Sequence, residues 1–246
     1  MKRSRSVYRC LPLALPFVAM ATPATFAAPM FVDSIGQPDD PFSYVGSDLI
    51  EARFRADTTN WDLRLENNGN PVAGDNQAHL ANGRGAFEGR SFDFSLSYSA
   101  DLDRLDWSVS RFGGGPSNSL SFDTSGLDSF NTLQFSSSGS RAMVDVTNLV
   151  FTGFDAAESP WPSLSVSPAG PRFAQNNLFF GNDANLLSAD WQLSGRVALD
   201  DFTRNNPSEG AKINARLAQV QQIPGPAGIT GLLLATGYCV VRRRRF

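Results

Sequence analysis

Cysteine is nearly absent from this 246-residue chain, and neither of its two copies lies in the central part. Cys10 and Cys239 fall in apolar stretches near the two ends. The roughly 190 residues between those stretches therefore form no disulfide and offer no thiolate nucleophile. A fold there must rest on its hydrophobic core, and about 190 residues suffice for one domain to bury one. Histidine is just as scarce. The single His79 sits in Asp75-Asn-Gln-Ala-His-Leu-Ala-Asn-Gly83 and reads as a surface loop residue. One His without Cys cannot assemble a structural zinc site. No Gly-x-Ser-x-Gly elbow accompanies it, which removes the common serine-hydrolase arrangement. Lysine is confined to Lys2 and Lys212, and no central segment shows a helical apolar period.

The two ends carry what the centre lacks. Lys2, Arg3, Arg5 and Arg9 precede an apolar run from Cys10 to Ala21, and Thr25-Phe26-Ala27 is a small-x-small site. That order predicts a secretory signal peptide over 1–27, cut before Ala28. Residues 221–246 hold Pro224-Gly225-Pro226, an apolar stretch over 227–241 and the cluster Arg242, Arg243, Arg244 and Arg245. As a helix the apolar stretch is about 22 Å long, short for a bilayer core of ~30 Å. Snorkelling arginines and local thinning cover the difference, and the Arg cluster reads as a cytoplasmic stop-transfer signal. A transmembrane anchor is the expectation. Eight of the 21 Lys and Arg residues lie in these ends and none of the 24 Asp and Glu do. The centre thus carries an excess of about 11 negative charges, which argues against nucleic acid and anionic membrane surfaces as partners.

Between the ends, residues 28–45 read as an irregular leader and 46–220 as one β-sandwich domain. Alternation of period two recurs, the mark of strands with one buried face. Phe92, Phe94, Leu96 and Tyr98 share a face against Ser and Asp, and Leu105, Trp107 and Val109 repeat the pattern one short acidic turn later. Similar runs surround Ile50–Ala56, Trp61–Leu65, Leu133–Phe135, Ala142–Val146, Trp191–Leu199 and Ile213–Leu217. Turn clusters such as Asn67-Asn-Gly-Asn-Pro71 separate them. Residues 158–171, with four prolines, read as a long loop. The expected fold is all-β, two antiparallel sheets packed as a jelly-roll-like sandwich, with a closed barrel as the competitor. Polar outward faces argue against an outer-membrane barrel.

The segment Ile223-Pro-Gly-Pro-Ala227, the apolar stretch and the arginines resemble the PEP-CTERM sorting signal of bacterial proteins processed by exosortase, with Gly225 where that signal carries Glu. The centre resembles the choice-of-anchor modules of such proteins, most closely the W type. The residues carrying that likeness are Phe92–Ser99, Leu105–Val109, Phe130–Phe135, Val146–Gly153 and the closing run 191–217. The resemblance implies an exported protein anchored at the cell envelope or released to the extracellular matrix, with an exosortase-like membrane enzyme as partner. It brings no catalytic residues and no cofactor.

Chemistry is correspondingly thin. Glycoside hydrolysis needs two facing carboxyls, and the only central glutamates are Glu51, Glu66, Glu88, Glu158 and Glu209. Glu51 and Glu66 fall on polar strand faces and read as solvated. Asp101, Asp103 and Asp106 cluster in one hairpin turn and are candidate calcium ligands, as are Asn182, Asp183 and Asn185 beyond Gly181. Trp161, flanked by prolines, is a candidate for stacking on a sugar ring or for covering the core edge. The reading is a non-catalytic exported surface or matrix protein. The alternatives are a carbohydrate-binding module contacting extracellular polysaccharide and a glycan-active enzyme.

Overall fold

A computed structural model describes residues 29–32, 35, 42–57, 60–80, 89–115, 117–154, 156–202 and 210–222. The signal segment and everything after Gln222, including the sorting motif, the apolar stretch and the Arg cluster, lie outside the described residues. Among the described residues no helix is long and apolar enough to cross a membrane.

The alternating runs become strands. In chain order they are β1 (Met30–Val32), β2 (Phe42–Ala56), β3 (Asn60–Asn67), β4 (Asn70–Leu80), β5 (Arg90–Ser99), β6 (Arg104–Arg111) and β7 (Ser117–Asp123). Then follow β8 (Thr132–Ser138), β9 (Met143–Gly153), β10 (Ala156–Pro160), β11 (Leu164–Val166), β12 (Phe173–Phe179), β13 (Trp191–Asp200) and β14 (Ala211–Gln222). The one helical element among the described residues is a 3-10 turn, Ala100–Leu102. All pairings are antiparallel and form two sheets. The first runs β1-β12-β8-β14-β2-β3-β4, and the second runs β10-β9-β13-β5-β6-β7 with β11 beside β9.

Local chemistry sets the hairpins. Asn68 and Gly69 join β3 to β4 with φ of 51° and 77°. Both central residues of a tight hairpin turn need positive φ, which Asn-Gly adopts most easily. The β5–β6 hairpin closes over the 3-10 turn, with Asp103 left-handed at φ 45°.

The two sheets meet through aromatic rings. Phe94 of the second sheet stacks on Phe135 of the first, centroids 5.1 Å apart and 11° from parallel. Phe54 and Trp61 of the first sheet pack on Phe92 of the second at 5.2 and 5.6 Å. The Trp107 indole N–H donates across the interface to the Arg53 carbonyl at 3.1 Å. Each fully buried Phe contributes about 1.5–3 kcal/mol.

A smaller apolar cluster of Ile35, Phe42, Phe179, Ala218 and Val220 lies apart from this core. Leu178 and Leu217 belong to the main core, so period-two alternation turns Phe179 and Ala218 to the outer face of the first sheet.

The strand boundaries correct several sequence expectations. The leader over 28–45 contains β1 and the start of β2, because Phe31 and Phe42 find apolar partners. The expected loop over 158–171 contains the end of β10 and all of β11, as Leu164 and Val166 alternate into the core around exposed Ser165. His79 belongs to β4, in register with Trp61, and not to a loop. The last strand runs to Gln222, two residues beyond the expected boundary.

Gly195 of β13 lies opposite Phe94, and a Cβ there would come 2.7 Å from the Phe94 ring. Trp107 and Phe135 hold that ring on either side. Gly195→Ala is expected to destabilise the fold by about 1–3 kcal/mol through overpacking, read as a lower midpoint in thermal unfolding.

Candidate functional site

The outer face of the first sheet is polar across its centre. Ala52, Phe54, Leu63 and Leu65 point into the core, so Glu51, Arg53 and Arg55 of β2 and Asp62, Arg64 and Glu66 of β3 point outward. Across β2 and β3 the register pairs Glu51 with Glu66, Arg53 with Arg64 and Arg55 with Asp62. On the other side of β2, Glu51 meets Arg216, Arg53 meets Asn214 and Arg55 meets Lys212 of β14. The rows continue through Gln134 and Ser136 of β8 to Asn177 and Gln175 of β12.

Two carboxylates directly opposite one another repel unless cations intervene. Here arginines do. Arg216 donates to Glu51 at 2.8 Å and Arg64 to Glu66 at 2.8 Å, while Arg53 lies 4.0 Å from Glu51 and 3.6 Å from Glu66. Arg55 donates its Nε–H to Asp62 at 3.0 Å. The expectation that Glu51 and Glu66 are solvated is corrected: their side chains are 13% and 9% exposed, and both are held in ion pairs. They stand on adjacent strands of one sheet, not across a cleft as a glycosidase acid and its partner would.

An amide cluster continues the face. Asn177 Oδ1 accepts from Gln134 at 2.8 Å and from Gln175 at 2.7 Å, and its Nδ2 donates to the Val32 carbonyl at 3.0 Å. Gln134 also donates to the Tyr44 hydroxyl at 3.3 Å. Among the ion pairs and amides of this face, three buried atoms have no hydrogen-bond partner: Asn214 Oδ1, Arg53 Nε and Asp62 Oδ1. Asn214 and Arg53 are paired in register.

A separate cleft of about 490 Å3 opens at one end of the second sheet, lined by Ala100, Asp101, Gly153, Phe154, Ser188 and Asp190 among others. Asp190 Oδ1 accepts from the Ala100 N–H at 2.7 Å. Gly153 and Phe154 have φ of 127° and 55°, and a left-handed Phe is unusual backbone.

The aspartates expected to gather around calcium disperse. Asp101 stands in the cleft wall, Asp103 accepts from the Tyr98 hydroxyl at 3.3 Å, and Asp106 takes Arg104 at 3.0 Å and Ser121. Local partners have drawn each carboxylate a different way. Among the described residues no group of three or more His, Cys, Asp or Glu converges as metal ligands do. Asn185 caps its own turn, accepting from Leu187 and Phe130, and Asn182 accepts from the Gln222 N–H. Trp161 is 5% exposed, stacked near Phe151 at 6.4 Å and edge-on to Phe31 at 5.5 Å. It covers the core edge and does not present a ring face to a sugar.

No protein-family model matches the chain, and no curated protein matches it.

Sequence reasoning passed over Arg53, Gln134, Asn177, Asn214 and Arg216. The available signal was Asn, Gln and Arg at outward positions of β8, β12 and β14. Joining those positions into one face requires the strand order, which places β14 between β8 and β2.

Near the cleft, Tyr98 donates to the Leu187 carbonyl at 3.0 Å. Burial raises its phenol above the usual value of 10.0, aided by the negative charges of Asp103 and Asp190. A raised folded-state value means the stability it contributes is complete below pH ~10 and is lost as pH climbs through the folded-state value. Tyr98→Phe is expected to flatten the alkaline limb of the stability curve while costing about 1 kcal/mol at neutral pH. Denaturant unfolding across pH 7–11 checks both.

Proposed function

We propose that this chain is a non-catalytic exported bacterial protein of the cell surface or extracellular matrix, directed there by a signal peptide over 1–27 and a PEP-CTERM-like segment over 221–246. In this reading 227–241 enters the membrane, Arg242 to Arg245 stop transfer, and an exosortase-like enzyme acts near Pro224-Gly225-Pro226. The observation that carries it is the junction between the folded body and that segment. β14 is an interior strand bonded to β2 on one side and β8 on the other. It runs out to Gln222, which pairs with Phe42 and donates its N–H to Asn182 at 3.2 Å. Gln221 and Gln222 are the first residues of the proposed sorting segment, whose Pro-Gly-Pro follows at 224–226. Tension from a membrane-held tail would pull along β14 and load two hydrogen-bonded ladders lengthwise, a geometry suited to anchoring. A cysteine-free all-β body that folds without disulfide chemistry suits the same route.

The finer winding supports the reading as well. After β7 the chain passes repeatedly between sheets, with β8, β12 and β14 in the first and β9 and β13 in the second, and we read this as jelly-roll-like. Glu51 and Glu66 are occupied by guanidinium groups, which favours a structural use of these carboxylates over a catalytic one.

Mass spectrometry of the mature protein from cells that have the processing enzyme tests the proposal. The expected species begins at Ala28 and lacks the Arg cluster. A surface protein still ending in Phe246 would overturn the processing step, and recovery of the chain only in the cytoplasm would overturn export.

A further inference from the structure

The geometry points to a binding site for a neutral, hydroxyl-rich polysaccharide on the outer face of the first sheet, centred on Asn214 and Arg53. This goes beyond the sorting reading and does not depend on it. Asn214 is 3% exposed, and its Oδ1 is a buried acceptor without a donor. The register partner Arg53 carries a buried Nε–H donor without an acceptor. Leaving such groups unmatched is costly, so an unmatched donor and acceptor on register partners mark a place where a missing group would fit.

The chemistry of that group follows from the pair. A hydroxyl both donates and accepts, so it is a neutral group whose chemistry matches Asn214 Oδ1 and Arg53 Nε at once. A carboxylate or phosphate would serve Arg53 but bring a second acceptor against Asn214 Oδ1. It would also meet Glu51 and Glu66, which lie on the same face within 4.0 Å of the Arg53 guanidinium. An ammonium group would serve Asn214 but meet the Arg53 donor. A neutral hydroxyl is the fit.

The row extends the match beyond one group. Arg64 lies in register beyond Arg53, and Ser136 and Gln175 lie in register beyond Asn214. Neighbouring strands repeat such side chains every ~4.8 Å, so an elongated ligand crossing the strands meets a hydrogen-bonding side chain at each one. The two central atoms are themselves buried, so entry requires Arg216, two residues along β14 on the same face and with 37% of its side chain exposed, to leave its 2.8 Å pair with Glu51.

A lone trapped water would satisfy the same central pair, and the experiment separates the two occupants. The full chain, held in a sugar-free detergent, is run by affinity electrophoresis through gels containing β-glucan, xylan, galactomannan or dextran, with alginate and chitosan as charged counterparts. Wild type is expected to be retarded by at least one neutral polymer. Asn214→Leu removes the acceptor at similar volume and is expected to weaken that retardation about tenfold or more, without lowering the melting temperature, because an unmatched polar group has gone. Arg53→Lys, which keeps the charge between the glutamates but loses the Nε–H, is expected to weaken it too. Gln192→Ala, on the second sheet, should behave as wild type. Retardation by no neutral polymer, by charged polymers alone, or equally for wild type, Asn214→Leu and Arg53→Lys would overturn the assignment. Because C-terminal processing is read separately by mass, failure here leaves the sorting proposal standing.

Discussion

The contact between Phe94 and Phe135 is the point on which the two sheets are fixed to each other. The rings lie 5.1 Å apart and nearly parallel, and Trp107 closes on Phe94 from within its own sheet. Without a disulfide in the described body, sheet-to-sheet attachment depends on such burial and on the single indole-to-carbonyl bond from Trp107 to Arg53. Dispersion and apolar burial are not directional, so the rings need a cavity of fixed shape to set one arrangement. Gly195 supplies part of it. A β-bulge in the β13–β9 pairing between Ser194 and Arg196 falls at this glycine, so the irregular strand, the missing side chain and the ring position are one feature.

Fixing the inner face also fixes the outer one. Because β2 presents Ala52 and Phe54 inward, it must present Glu51, Arg53 and Arg55 outward, and a slip of one residue would exchange the two sets. The opposition of Glu51 and Glu66 is thus imposed by the core. Arg53, Arg64 and Arg216 make that opposition tolerable by placing positive charge within 4.0 Å of both carboxylates. Such partly buried pairs cost desolvation as well as gaining attraction. Their effect is best seen as holding long side chains in defined places and not as a large source of stability. The Trp107 bond to the Arg53 carbonyl ties this arrangement back to the interior, since the same residue contributes its carbonyl to the core contact and its guanidinium to the outer face.

How much of this was legible in the sequence depended on whether the signal was local. The alternation of Phe92, Phe94, Leu96 and Tyr98 predicted β5 and its buried face, and Asn68-Gly69 predicted a turn. β1 was missed because three residues are too few for a period, and its partners, Leu178 and Phe179, are distant in sequence. β11 was hidden by the surrounding prolines. The expected calcium cluster failed for a related reason. Asp101, Asp103 and Asp106 are near in sequence, but a left-handed residue and strand alternation send their carboxylates to different neighbours. The polar face was illegible because it gathers residues from five strands whose lateral order no local pattern reveals.

β14 shows how these constraints meet in one element. Its inward residues Ile213, Ala215 and Leu217 fill the core, and its outward Asn214 and Arg216 stand in the middle of the polar face. Its pairing with β2 shifts between Ala218 and Val220. On the opposite side of β14 the β8 ladder ends at Ala218 and Thr132, and Asn131 continues it: its Nδ2 donates to the Val220 carbonyl at 2.7 Å and its Oδ1 accepts the Val220 N–H at 2.8 Å. A side-chain amide thus stands in for a strand neighbour where the ladder would otherwise leave buried backbone groups unmatched. Beyond the shift, Val220 joins the outer apolar cluster with Ile35 and Phe42, and the strand continues to Gln222. The Asn131 amide therefore stands between the last residues of β14 and the aromatic core. A substitution at Asn131 would loosen this end of β14 while leaving the Phe94 contact intact.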